Sequence, residues 1–157
     1  MHCESGCSGS LFADPGINKC VQVCYTQDLY ADVDSGNACV SQCNQAGSTP
    51  FRDNSTKECV AVCPDDPYTY SDSFEESCVY NCSIGLYKDD LSDSSDKRCV
   101  DKCVSPNWGD NTTGYGICVA VCPEDPPLFG DTVDGFRVCV EVCSDGLFGD
   151  QDPDGGR

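Results

Sequence analysis

"GICVAVCPEDPPLFGD", residues Gly116–Asp131, holds two cysteines four positions apart, then an aromatic residue and, two positions on, an aspartate. The same arrangement stands at Lys57–Asp72 as "KECVAVCPDDPYTYSD" and at Arg137–Asp150 as "RVCVEVCSDGLFGD". Read outward from there, all 16 cysteines fall into eight C-x-x-x-C brackets: Cys3/Cys7, Cys20/Cys24, Cys39/Cys43, Cys59/Cys63, Cys78/Cys82, Cys99/Cys103, Cys118/Cys122 and Cys139/Cys143. The brackets begin 17 to 21 residues apart. Val follows the first cysteine in seven of them (Val21, Val40, Val60, Val79, Val100, Val119, Val140), and Glu4 stands in the first. Aromatic-x-Asp follows every bracket: Phe12/Asp14, Tyr30/Asp32, Phe51/Asp53, Tyr70/Asp72, Tyr87/Asp89, Trp108/Asp110, Phe129/Asp131 and Phe148/Asp150. Self-similarity at one period is the signature of a repeat array. Its units span 3–19, 20–38, 39–58, 59–77, 78–98, 99–117, 118–138 and 139–157.

Composition says what must hold such an array together. Leu, Ile, Val and Phe make up just under a fifth of the 157 residues, and the formal charge is −18. A chain that poor in apolar surface and that charged cannot offset its conformational entropy by burial. Cross-links can, by reducing the entropy of the unfolded chain. Cysteine at about one residue in ten marks a disulfide scaffold from an oxidising compartment. The expected fold is therefore small and disulfide-rich: an elongated tandem repeat rod of short β-hairpins and turns with little or no helix. "CVAVC" and "CVEVC" alternate like short strands. "DVDSGN", "DNSTKE" and "DTVDGF" have turn composition, with the aspartate opening the turn by accepting from its own downstream backbone. One Val, one aromatic and two half-cystines make a nucleus only when neighbouring units stack, so the aromatic is expected to pack on a disulfide or on the next unit's Val.

Spacing alone does not fix connectivity. In a ladder, the second cysteine of one bracket joins the first of the next, closing loops of 12 to 16 residues. In an interlaced scheme, equivalent cysteines of adjacent brackets pair. Closure within a bracket is the third scheme and leaves the loops untied. The ladder leaves Cys3 and Cys143 without partners in one chain. A bond from Cys143 to the Cys3 of a following copy would close a loop of 16 residues, inside the same range. On that reading the array over 1–157 joins others head to tail or is a stretch of a longer array.

"CVAVCPEDPPLFGD" and "CVYNCSIGLYKDD" resemble the furin-like, growth-factor-receptor type of cysteine-rich repeat, and resemble still more the long tandem arrays of protist surface and appendage proteins. The resemblance covers essentially the whole chain. The proline that usually follows the bracket in that family stands only at Pro64 and Pro123. A C-V-x-x-C bracket in that family closes one loop and opens the next. The resemblance thus implies the ladder: Cys7–Cys20, Cys24–Cys39, Cys43–Cys59, Cys63–Cys78, Cys82–Cys99, Cys103–Cys118 and Cys122–Cys139, with Cys143–Cys3 between units. It implies spacers, stalks, fibres or ligand-binding ectodomains, and no catalysis.

Three sequons follow the N-x-S/T rule, at Asn54, Asn81 and Asn111. Asn54 and Asn111 sit at equivalent places directly after the repeat aspartate, where a glycan projects freely; Asn81 lies inside a bracket beside a disulfide. Uniform three-residue spacing and a single histidine, His2, argue against zinc, which favours two-residue spacing and histidine. Calcium is a candidate at "DQDPDGG", where Asp150, Asp152 and Asp154 alternate before Gly155. Asp32/Asp34 and Asp131/Asp134 are weaker versions. One histidine leaves no Ser-His or Cys-His pair, and the carboxylates are expected in exposed turns without a cleft to shift them, so no enzyme is expected. The acidity excludes nucleic acid and anionic membrane surfaces, no apolar run is long enough to span a membrane, and the opening "MHCESGCSGS" lacks the features of a signal peptide. The expected function is a secreted, glycosylated structural component of an extracellular filament, appendage or surface coat, with itself as partner. The alternative is the cysteine-rich ectodomain of a receptor or adhesin that binds a protein ligand.

Overall fold

The computed structural model describes residues 7–24, 26, 28–65, 68–92, 97–145 and 147. Among them stand fourteen short β-strands and no helix. The chain divides into two compact units, Met1–Tyr80 and Asn81–Arg157.

The first unit holds β1 (Phe12–Asp14), β2 (Lys19–Val21), β3 (Tyr30–Asp32), β4 (Ala38–Val40), β5 (Phe51–Asp53), β6 (Glu58–Val60), β7 (Tyr70–Asp72) and β8 (Ser77–Val79). Each aromatic-x-Asp triplet is itself a strand, and the return strand ends on the Cys-Val of the next bracket. Within a hairpin the register is constant. The aromatic stands opposite the Val, the x residue opposite the cysteine and the Asp opposite the residue before it, as in Phe51↔Val60, Arg52↔Cys59 and Asp53↔Glu58. That pairing is the physical reason for the recurrent Val: an aromatic facing a β-branched residue is a favourable cross-strand pair.

Successive hairpins join side by side through one parallel bridge each, Ala13↔Ala38, Ala31↔Glu58 and Arg52↔Ser77. The unit's strand order is therefore β7-β8-β5-β6-β3-β4-β1-β2. The x residue donates its N–H to the carbonyl two positions before the next hairpin's cysteine: Ala13 to Asn37, Ala31 to Lys57 and Arg52 to Glu76, at 2.8 to 3.1 Å. Those three acceptors all have positive φ (58°, 62° and 52°), a left-handed kink that presents the carbonyl sideways to its neighbour.

The second unit repeats the plan with β9 (Tyr87–Asp89), β10 (Arg98–Val100), β11 (Trp108–Asp110), β12 (Gly116–Val119), β13 (Phe129–Val133) and β14 (Phe136–Val140), in the order β13-β14-β11-β12-β9-β10. Its last hairpin continues past Asp131 through Thr132↔Arg137 and Val133↔Phe136. The connection is Asp134-Gly135 with φ 52° and 82°, the positive pair that a two-residue type I′ turn requires.

Seven disulfides join Cys7–Cys20, Cys24–Cys39, Cys43–Cys59, Cys63–Cys78, Cys82–Cys99, Cys103–Cys118 and Cys122–Cys139. These are the pairs of the ladder, so each hairpin is closed at its base by its own bond. A loop of about 15 residues contributes roughly 3 kcal/mol when cross-linked. The small core is built around the sulfurs: Val21, Cys24, Ala31 and Cys39 with Phe12 against them, then Tyr30, Cys43 and Cys59 with Val40. Each of these aromatics thus lies on the disulfide of the following loop while facing the Val of the following bracket. The brackets correct one expectation. "CVAVC" does not run on as a strand: the strand stops at the first Val, and the second enters a bend, leaving Val62, Val121 and Val142 exposed. The bracket's two cysteines serve different loops, so the chain must turn between them.

Candidate functional site: the contact between successive repeats

Seven repeat aspartates (Asp14, Asp32, Asp53, Asp72, Asp89, Asp110, Asp131) are 0 to 6 % exposed. The expectation of exposed turn carboxylates is corrected here. Each carboxylate faces inward because the turn it opens supplies donors: Ser55 N–H and hydroxyl to Asp53 Oδ1 at 2.8 and 2.7 Å, and Thr112 N–H and hydroxyl to Asp110 Oδ1 at 2.9 and 2.8 Å. Phe74 N–H on Asp72 and Leu91 N–H on Asp89 follow the same rule. A buried carboxylate is tolerated when hydrogen bonds replace water in this way.

Three of these aspartates also reach forward to the first or second residue after the bracket that opens the next repeat. Asp14 accepts the Thr26 hydroxyl at 2.8 Å, Asp32 the Asn44 N–H at 3.3 Å, and Asp131 the Ser144 N–H and hydroxyl at 2.7 and 2.6 Å. The repeat aspartate therefore ties its own hairpin to the start of the next loop. Burial pushes the Asp14 carboxyl up, but the Thr26 hydroxyl and the Gly16 and Thr26 N–H groups outweigh it and hold the pKa below the ordinary aspartate value. The Ser144 hydroxyl and N–H hold Asp131 below it too. For Asp34, burial is again outweighed, by the hydroxyls and N–H groups of Thr49 and Ser48.

The second half of the contact is aromatic. The Tyr30 ring carries Lys57 Nζ at 4.9 Å and Arg52 Cζ at 6.0 Å from its centroid, and its hydroxyl donates to Asn54 Oδ1, all from the following hairpin. The Arg137 guanidinium lies 3.9 Å from the centroid of the Trp108 ring, again one hairpin on. In the second unit the ring needs a glycine beneath it. A Cβ on Gly109 would lie 2.5 Å from Tyr87 Cε1, and one on Gly130 would lie 2.9 Å from the outer edge of the Trp108 ring. Gly109 and Gly130 are the x residues of the following aromatic-x-Asp triplets. At these two triplets the middle position, which looks free in the sequence, is set by the ring before it.

The candidate sites divide as follows. Asn54, Asn81 and Asn111 are all exposed. Asn54 and Asn81 use Oδ1 to accept, from Tyr30 and from Lys88 Nζ at 2.8 Å, which leaves Nδ2, the atom a glycan takes, open. Cys143 forms no disulfide among the described residues. Its expected partner Cys3, the calcium candidates Asp150, Asp152 and Asp154, and His2 lie outside those residues. Asp32 and Asp34 do not converge. Asp32 is taken up by Asp34 N–H, the Ser35 hydroxyl and Asn44 N–H, and Asp34 by Ser48 and Thr49. Asp131 is bonded to Thr132 and Ser144, while Asp134 belongs to the tight turn. Among the described residues, no group of three or more His, Cys, Asp or Glu is placed to hold a metal ion.

No protein-family model, no curated protein and no solved structure matches the chain. The seven disulfides fit an oxidising environment. Among the described residues no helix is long and apolar enough to cross a membrane.

Proposed function

We propose that this chain is a structural module of an extracellular filament, appendage or surface coat: a glycosylated, disulfide-stapled array of hairpins that continues head to tail into further repeats. The observation that carries the reading is the directional contact between hairpins. One side offers a ring, an x-residue N–H and a buried carboxylate; the other offers a disulfide, a sideways carbonyl and a cation. Two different complementary faces make a heterologous contact, which propagates instead of closing. The bracket at Cys139/Cys143 is already held in this way, since Asp131 binds Ser144 just beyond it. Cys143 is then the cysteine that closes the next loop, with Cys3 of a following copy or repeat as its partner. The resemblance to protist appendage arrays supports the same reading, and Asn54 and Asn111, exposed directly after their buried aspartates, carry its glycans.

A receptor or adhesin ectodomain is the second reading. The exposed Ile84 and Tyr115 that line one cleft favour it, because a binding array needs one repeat with an apolar patch. Unreduced peptide mapping of natural material separates the two. A cross-link between the Cys143 and Cys3 peptides, with filaments in electron micrographs, is the expected result. Cys143 recovered as a thiol, with short monodisperse particles, overturns the filament and leaves the ectodomain.

A further inference from the structure

The second unit contains a cleft of about 280 Å³ between two loops. One wall is the stretch after Cys82, with Ile84 fully exposed and Gly85 at φ 89°; the other is the sequon turn, with Asn111, Gly114 at φ 80° and the half-exposed ring of Tyr115. A Cβ on either glycine would meet nothing within 4 Å, so the mouth is open.

We infer that this cleft is an intramolecular sugar subsite, and that its occupant is the first N-acetylglucosamine of a glycan on Asn111. The inference rests on the glycosylation reading above. Attachment joins Nδ2 of Asn111 to the sugar's C1 as the bond from C1 to a lipid diphosphate donor breaks; the diphosphate leaves and Nδ2 gives up one proton. A sugar so attached begins its path at the cleft, because Asn111 is one of its lining residues. The chemistry of the walls suits it: a pyranose presents an apolar C–H face and an acetyl methyl, and Ile84 and Tyr115 offer exposed aliphatic and aromatic surface. The volume lies just below the range of pockets for drug-sized ligands, which fits one sugar ring. The geometry is also fixed in advance. Gly114 N–H donates to the Asn111 carbonyl at 3.1 Å, the Thr113 hydroxyl to the Tyr115 carbonyl at 3.0 Å, and Lys88 Nζ lies 5.6 Å from the Tyr115 ring centroid. Sequon and ring thus belong to one hydrogen-bonded turn. The Asn111 side chain makes no hydrogen bond among the described residues, unlike Asn54 and Asn81.

The test uses the full chain from a glycosylating host, with NOE spectra and glycopeptide masses. The expected result is a sugar mass at Asn111, an acetyl methyl shifted upfield relative to the same glycopeptide after reduction and unfolding, and cross-peaks from that methyl to Tyr115 and Ile84. Tyr115→Phe keeps the shift; Tyr115→Ala loses it while the disulfide map is unchanged. A sugar mass with an unshifted methyl, or Tyr115 cross-peaks to a second copy in place of the sugar, overturns the subsite and leaves glycosylation standing. No sugar mass at Asn111 overturns the glycosylation reading there and the subsite with it.

Discussion

Alanine at Gly109 tests the ring-on-glycine contact directly. Its Cβ would lie 2.5 Å from Cε1 and 2.8 Å from Cζ of Tyr87, so the ring or the strand must give way. Forcing a methyl into such a contact costs about 1–3 kcal/mol. With Tyr87→Ala as background the obstacle is gone. Alanine is then worth roughly 0.5–1 kcal/mol over glycine in a strand. The coupling between the two positions should be about 2 kcal/mol, within the range of residues in contact. Gly116 is the internal control. Its Cβ would meet the Leu86 carbonyl at 2.5 Å as well as the Tyr87 ring, so Gly116→Ala stays destabilising when the ring is removed. Urea unfolding of the oxidised chain, followed by the fluorescence of the single tryptophan, Trp108, reports on this unit. If Gly109→Ala costs the same with and without Tyr87, the ring does not set the x position and the account of the repeat contact fails.

Three further outcomes are expected. Reduction with dithiothreitol abolishes the strand signal in circular dichroism, since each closed loop is worth roughly 3 kcal/mol and the apolar core is thin; a spectrum unchanged by reduction refutes this. Asp14, Asp34 and Asp131 titrate below their unfolded values, so the stability they give is complete above the ordinary aspartate range and drains as pH falls through their folded pKa values. The urea midpoint should be flat from about pH 7 to 5 and fall below about pH 4, less steeply in Asp131→Asn. Arg137→Ala removes the cation from the Trp108 ring, costs about 0.5–2 kcal/mol, and moves the emission of the newly wetted indole to the red; an unmoved spectrum counts against the stacking.

The sequence made the hairpins legible because turn chemistry is local. Asp53-Asn-Ser-Thr announces a turn whose donors lie within three residues. It hid the burial of Asp53, because that depends on neighbouring hairpins. The forward reach of Asp14, Asp32 and Asp131 to Thr26, Asn44 and Ser144 spans 12 or 13 residues and exists only once the disulfide fixes the loop. The x position looked unconstrained because its constraint, the previous ring, lies about twenty residues upstream. Nothing local to "SIGLY", the stretch after Cys82, tells that Tyr115 lines the same cleft. The alternation of "CVAVC" misled because period-two hydrophobicity is also what a bend between two bonded cysteines can carry.

The bracket has a mechanical consequence. In the six brackets from Cys20/Cys24 to Cys118/Cys122 the two cysteines belong to neighbouring loops, so tension applied along the chain between Cys7 and Cys139 bypasses the hairpins. It runs through four backbone steps, then across a disulfide whose Cα atoms are 5.5 to 5.7 Å apart. The contour available to a pulled, oxidised chain is about 20 Å per repeat, against about 65 Å once the bonds are cut. Hairpins can melt under load without lengthening the tether. The redox state of the surroundings, more than the stability of any strand, decides how far this chain can stretch.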